Sequence, residues 1–252
     1  MNRISITSTA GKLPTLPKWL RLRYFACILG LGLFIGACVY LKFSPGSLVE
    51  GVPNMLKFVR QLFPPDVRAL PSLLKPALTT VLMAAVATVM ASAVSLPLAV
   101  LAAGNTEMPR ALRTFSRLTI EVVRVIPDVV FALIFITAVG LGPFPGTLAM
   151  AIHSVGMLGK LYREAMEEID PGPPEAVAAV GATRLQVVRF AVLPAVLPAM
   201  VGDTLYRFDI NVRSSIVIGF VGAGGIGYKL MVAMRLFKYQ ELLVILMVTF
   251  AI

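Results

Sequence analysis

Apolar runs alternate with short polar intervals along almost the whole chain. Tyr24 to Leu41 is the first run, of a length that spans a bilayer. Pro76 to Ala103 is the second, rich in Ala, Val, Leu and Thr; about Leu118 to Leu141 is the third and about Thr147 to Leu161 the fourth. A fifth begins near Ala191 and runs to about Gly219. Leu242 to Ile252 is apolar but too short to cross about 30 Å of hydrocarbon, so the chain is expected to stop inside a sixth span. A secretory signal is the competing reading of Tyr24–Leu41. That run is long for a signal core and no small-x-small cleavage site follows it, which favours an uncleaved span. Gly32 and Gly36 form a GxxxG pair that admits close helix approach, or are simply two glycines in a glycine-rich span.

These runs define the domain organisation. Residues 1–23 form a basic N-terminus, 24–41 the first transmembrane helix, 42–75 a mixed segment and 76–252 the membrane core, with a patterned polar loop at 164–194. In the mixed segment Leu56, Phe58, Val59, Leu62 and Phe63 lie among charges, which predicts an amphipathic piece at the membrane surface; an ordinary loop is the alternative.

Composition agrees with an all-α integral membrane protein. Hydrophobic residues make up 58%, charged residues only 14%, and mean hydropathy is +0.85, so 252 residues read as one membrane domain. The net charge of +10 is scattered between apolar runs without a continuous basic stripe. Anionic lipid headgroups or an anionic substrate explain it better than nucleic acid. Cys27 and Cys38 both fall in the first run, too far apart along a helix to bond each other. With the N-terminus inside, the inner segments carry 12 Lys and Arg against 8 outside, a weak bias for a cytoplasmic N-terminus and a cytoplasmic 164–194 loop.

The candidate chemistry is sparse. Gly222, Gly224 and Gly227 match GxGxxG, but a membrane span precedes them, and Tyr228 stands where a phosphate-binding loop would carry Lys. A tight backbone turn is the better reading. His153 is the only histidine, so no His-based triad or multi-histidine metal site has a second member. Any uphill transport must draw its energy from a partner or an ion gradient. Charges inside spans are costly and mark paired groups or aqueous routes. Glu121, Arg124 and Asp128 are spaced to share one face of the third span, with Arg124 reaching both acids. In the fifth span Asp203 is spaced to pair with Arg207, and Asp209 with Arg213. Two readings stay open: internal neutralisation, or a polar path for an anion lined by Arg207, Asn211, Arg213, Ser214 and Ser215, with His153 and Lys160 as further members. His153 also fits a helix–helix hydrogen bond.

Residues 164–194 are the most ordered polar interval. Asp170, Pro171, Gly172, Pro173 and Pro174 form a turn, and Glu175 opens a short helix where its charge favours the helix dipole. Ala176, Ala178, Ala179 and Ala182 give that helix a small-residue face. Gly181 allows a change of direction, and Thr183 can cap a second helix with Leu185, Val188 and Val192 on one face. A short helix lying across the membrane surface as a plug for a groove results.

This pattern resembles the EAA loop of binding-protein-dependent ABC importer permeases. It reads Glu175-Ala176-Val177, three residues, Gly181, nine residues, then Ala191-Val192-Leu193-Pro194. Val177 stands where a second Ala is usual and Ala191 where Ile is usual. The runs VVFALIFITAVGLGPFPGTLAMAIHSVGMLGKL, IDPGPPEAVAAVGATRLQVVRFAVLP and LYRFDINVRSSIVIGFVGAGGIG resemble phosphonate importer permeases over about residues 70–241. The resemblance implies a type I importer fold of about six transmembrane helices in a bacterial inner membrane. The loop would be the coupling helix seated in a cytoplasmic ATPase dimer, which would bind ATP and Mg; no cofactor is expected in this chain. A second permease, giving a homodimer or a pair of different permeases, and an extracytoplasmic phosphonate-binding protein are the other implied partners. The implied cargo is phosphonate or phosphite. Methionine, taurine or another small anion are the alternatives within the fold, and an ion-coupled secondary carrier is the alternative outside it.

Overall fold

The computed structural model describes residues 18–106 and 108–252. The basic N-terminus expected at 1–23 lies mostly outside them. Eleven α-helices follow one another among the described residues: α1 (Lys18–Tyr40), α2 (Pro45–Leu62), α3 (Leu70–Ala102), α4 (Arg110–Val125), α5 (Asp128–Val139), α6 (Pro143–Glu167), α7 (Gly172–Ala179), α8 (Arg184–Val187), α9 (Leu193–Ile218), α10 (Gly225–Arg235) and α11 (Tyr239–Ala251). Three helical stretches are long and apolar enough to cross a membrane, Arg23–Tyr40, Val67–Ala102 and Arg184–Ala223; α4 and α5 together would make a fourth.

Two units divide the chain, residues 1–58 and 59–252. In the first, α1 carries apolar side chains on all sides and leaves them exposed, as suits a helix solvated by lipid. A side-chain carbon added at Gly32 or Gly36 would meet nothing within 4 Å. The Arg23 guanidinium lies over the Trp19 ring at 5.6 Å, the kind of pair that settles at a membrane interface. Most of the amphipathic helix α2 also belongs to this unit, within the segment where the apolar positions predict one.

In the second unit α6 is the centre, packed by α3, α4, α5 and α9. The reason is residue size. Along α3, Ala84, Ala87, Thr88, Ala91, Ser95, Ala99 and Ala102 recur every three or four positions and are almost fully buried. Leu78, Leu82, Val86 and Val89 occupy the opposite, exposed face. A small-residue stripe lets α6 approach closely, because in lipid helices associate through packing rather than through apolar transfer. Gly156 of α6 is so close to α4 that a Cβ there would stand 2.7 Å from the Arg124 backbone nitrogen. Ser95 Oγ donates to the Val155 carbonyl at 3.1 Å, a bond that crosses the α3–α6 contact.

Three element boundaries differ from the sequence pattern. The second span begins at Leu70, with Pro76 inside the helix rather than opening it. Pro71 occupies the first turn, where its missing N–H costs nothing. The third span is not one helix: α4 begins at Arg110 and meets α5 at an 86° bend over Ile126 and Pro127. Proline there holds its predecessor in an extended conformation, with Ile126 at ψ 121°, and so ends α4. The fourth helix extends on both sides, to Pro143 and Glu167.

Three apolar clusters fill the bundle. One lies toward the α7 end, around Leu158, Tyr162, Met166, Val192 and Val196. Another, around Met83, Ala149, Met150, Ile218 and Ala223, sits at mid-length. The third packs α10 and α11 on α3 through Leu73, Ile226, Leu230, Leu242 and Ile245. The glycine-rich segment after α9 is a tight reversal. Gly222, Gly224 and Gly225 take φ of +103°, +79° and +67°, which only glycine adopts freely. The Ile226 N–H donates to Thr80 Oγ1 at 2.9 Å, so α3 receives the start of α10. A Cβ at Gly227 would stand 2.0 Å from the Ile216 carbonyl oxygen. The Gly227→Ala variant is therefore expected to lose about 1–3 kcal/mol of stability, read as a fall of several degrees in the melting temperature of the detergent-purified protein; an unchanged melting temperature would show that the reversal is loosely packed.

Candidate functional site

The polar loop folds as its turn chemistry requires. Asp170 Oδ1 accepts from the Gly172 N–H at 3.0 Å and closes the turn ahead of α7. Pro173 and Pro174 follow in the opening turn, where they lose no helical hydrogen bond, and Glu175 is the acid of that turn. Gly181 takes φ +84° and redirects the chain after α7. The Thr183 N–H donates to Gln186 Oε1 at 2.7 Å, as in a capping box, and starts α8. From Val188 the helix widens into one π-helical turn that runs through Val192 into Leu193 and Pro194. No residue of α7 is buried, and Val180 at its end is 84% exposed. Glu175, Ala178 and Ala182 line a cavity of about 480 Å³ together with Glu167, Arg184 and Val188. Ala176 and Val177 lie on the same short helix.

Beneath this helix is a brace that the sequence pattern does not show. Glu167, at the last position of α6, accepts from the Gly104 N–H at 2.8 Å and from Arg117 Nη2 at 2.7 Å. Arg117 Nε donates to the Ala102 carbonyl at 2.8 Å, one of the orphan acceptors at the end of α3. Asn105 Nδ2 donates to the Met166 carbonyl at 2.6 Å. Thus one carboxylate ties the ends of α3 and α6 to the middle of α4 at the wall of the cavity under α7. The partners lie 50 and 63 positions away, so no local spacing could reveal them. Lys160, a candidate for the polar path, instead pairs with Glu164 at 3.4 Å one turn along its own helix.

A second polar group is buried at the crossing of α3, α6 and α9. Arg207 is 3% exposed, and its Nε donates to Ser154 Oγ at 2.9 Å. A guanidinium only donates, so Ser154 accepts there and gives its own proton to Asn211 Oδ1, 3.1 Å away. That fixes the Asn211 amide, whose Nδ2 donates to Thr88 Oγ1 at 2.9 Å, and Thr88 donates to the Ala84 carbonyl at 2.7 Å. Beside this chain His153 Nδ1 bonds the Ile126 carbonyl at 3.0 Å. The carbonyl can only accept, so Nδ1 carries the proton. The Asp128 carboxylate acts electrostatically on both His153 and Arg207.

The sequence-derived ion pairs are only partly present. Arg213 contacts Asp209, and this pair is exposed, at 73% and 53%. Arg124 reaches Glu121 at 3.3 Å. It does not pair with Asp128, because the 86° bend breaks the helical face that the spacing assumed. Asp203 does not pair with Arg207, because Arg207 turns inward to Ser154. Ser215 is buried and bonds the Val212 carbonyl at 2.6 Å, and Ser214 is half-buried. The candidate path residues therefore separate: Arg207 and Asn211 join His153 in the interior, while Arg213 is on the outer face of α9. Ser154 and Thr88, single hydroxyls in apolar helices, carried no signal in the sequence. Among the described residues no cluster of three His, Cys, Asp or Glu side chains is placed to hold a metal ion.

Comparison with known proteins gives this geometry its setting. The family described as "Binding-protein-dependent transport system inner membrane component" matches residues 95–252. The phosphite transport system permease protein PtxC of Stutzerimonas stutzeri is 38% identical over 92% of this chain and 84% of its own length. The phosphate-import permease protein PhnE of Mycolicibacterium smegmatis is 40% identical over 88% of this chain and 42% of its own. Among solved structures, a chain of the MetNI methionine ABC transporter in an inward-facing conformation is 25% identical. It superposes with a TM-score of 0.58 over 71% of this chain and 92% of that one. With the all-helical bundle, its exposed α7 and the match over more than half its length, this chain belongs to the family of binding-protein-dependent inner-membrane transport components and has the fold of type I ABC importer permeases.

Proposed function

We propose that the chain is the permease subunit of an ATP-driven importer for phosphonate-type oxyanions, phosphonate and phosphite first among them. The observation that carries the reading is α7. An apolar-ended helix of eight residues with none of them buried, set between a closed turn and a positive-φ glycine, is a surface built for a partner. That partner is a cytoplasmic ABC ATPase dimer, which binds ATP and Mg, so this subunit needs no cofactor and catalyses no reaction itself. Glu175, Ala176, Val177, Gly181, Ala182, Leu193 and Pro194 form the coupling loop. The loop lies on the cytoplasmic side together with the N-terminus, as the loop charges favour.

The exposed face of α9 supports a second permease copy. Asp209 and Arg213 stand on a spanning helix among Leu205, Tyr206 and Val217, all exposed. An ion pair there is unfavourable against lipid and is accommodated against protein or an aqueous route. Two copies facing each other through α9 would enclose such a route. An extracytoplasmic binding protein would deliver the anion to the mouth near residues 219–240. The oxyanion assignment rests on the names of the relatives, which include a phosphite and a phosphate permease. Methionine is the second reading, favoured by the likeness to a methionine transporter.

Proteoliposomes that hold the chain with its ATPase and binding protein test the assignment. Uptake of phosphite or methylphosphonate is expected to require ATP and to be unaffected by excess methionine; uptake driven by an ion gradient without the ATPase would favour a secondary carrier. In the same assay the Glu175→Lys, Gly181→Pro double variant should lose at least tenfold of uptake while the binding protein still captures its substrate. Normal stimulation of ATP hydrolysis by that variant would show that α7 does not transmit. Glu167→Gln should cost only about 1 kcal/mol of stability, since the brace is partly exposed, yet lower transport-linked ATP hydrolysis several-fold; an unchanged rate would confine Glu167 to a static role.

A further inference from the structure

We propose that Arg207, His153 and the bend at Ile126–Pro127 form a binding site inside the bundle for a singly protonated tetrahedral oxyanion of phosphorus. This deepens the importer reading and rests on it. The starting point is an unbalanced cation. Arg207 is 3% exposed, makes one hydrogen bond through Nε, and its Nη2 is fully buried with no acceptor. No carboxylate among the described residues forms an ion pair with it; Asp128 acts on it only through its field. A buried guanidinium held that way is unfavourable, and arginine offers a planar fork suited to an oxyanion.

The surroundings supply the rest of a site. The hydrogen-bond chain through Ser154, Asn211 and Thr88 fixes the guanidinium by its Nε edge and leaves the Nη2 edge uncommitted. Pro127 ends α4 and lets α5 begin with Asp128, so the positive end of the 12-residue helix α5 opens at the bend. Asp128 is the resident counter-charge there, with its Oδ1 accepting from the Val129 N–H at 2.9 Å. His153 donates through Nδ1 to Ile126, so in the neutral ring the lone pair lies on Nε2. The pieces match a ligand that carries both a P–O⁻ and a P–OH group. Arg207 Nη2 donates to the anionic oxygen, His153 Nε2 accepts from the hydroxyl, and Asp128 gives way as counter-charge. Sulfate and sulfonates carry no such proton near neutrality, so the site would discriminate against them.

Melting of the detergent-purified full chain tests the site, with phosphite, methylphosphonate, sulfate or phosphatidylglycerol added separately. Phosphite and methylphosphonate at millimolar concentration are expected to raise the melting temperature by several degrees, and sulfate to leave it unchanged. Arg207→Met, which keeps the side-chain length and removes the charge, should lose the response. His153→Gln should weaken the phosphite response and narrow its margin over sulfate. An Arg207→Met chain that responds like the native one overturns the site. A response to phosphatidylglycerol alone also overturns it and gives Arg207 to a lipid headgroup. Should Arg207→Met not fold, Arg207→Lys keeps the charge but loses the fork; an apparent affinity at least tenfold weaker is expected, and an unchanged one overturns the site. Uptake separates this proposal from the importer reading. A native complex that imports no phosphorus oxyanion defeats that reading, whereas native uptake that survives Arg207→Met defeats the site alone.

Discussion

The hydrogen-bond chain from Arg207 through Ser154 and Asn211 to Thr88 is the interaction on which the bundle's interior depends. It joins the central helix α6 to α9 and α3, which pack on it, and each link is set by the one before it. Arginine cannot accept, so the serine must, and the amide and threonine then have one orientation each. In a medium without water these groups find partners only in neighbouring helices. A register shift of α9 by one residue would leave an amide and a hydroxyl unpaired, which costs far more than a displaced methyl group. The apolar clusters above and below provide packing area, and the polar chain selects the alignment.

Size governs the rest of the architecture. The alanine, serine and threonine stripe of α3 brings α6 near enough for a side chain of one helix to bond the backbone of the other. Gly156 brings α4 equally near, and the glycine reversal after α9 lets α10 fold back against its own preceding helix. These contacts pack the bundle closely around α6. At one end the Glu167 brace clamps the ends of α3 and α6 to the middle of α4, while α7 lies exposed on the surface beside it.

Several features were legible in the chain itself. The span at Tyr24–Leu41 follows from uninterrupted apolar length, that at Ala191–Gly219 from apolar length despite Asp203, Arg207, Asp209 and Arg213, and the 164–194 loop from its turn residues, small-residue face and placed glycine. Those signals are local: each depends on residues within a turn or two of one another, so the covalent order carries them. The family resemblance rested on the same local spacing, and the match over residues 95–252 agrees with it. Local spacing also misled. The Glu121, Arg124 and Asp128 face presupposed a continuous helix, and Pro127 made two helices of it.

What the tertiary structure alone decided is the fate of the charges. From sequence, Asp203 and Arg207 looked like partners one turn apart, and Arg207 and Arg213 looked equivalent. In the fold Arg213 stays outside with Asp209, whereas Arg207 turns to a serine 53 positions earlier in the chain. Helical spacing says which residues share a face but not which way that face points, because direction is set by the neighbours that pack against it. Length, apolarity and turn chemistry are written residue by residue, so the chain alone specified a helical membrane subunit with an exposed, patterned loop. Which cation became buried with one edge of its guanidinium unpaired was decided only when α3, α6 and α9 crossed, since burial and hydrogen-bond supply belong to the assembled helices.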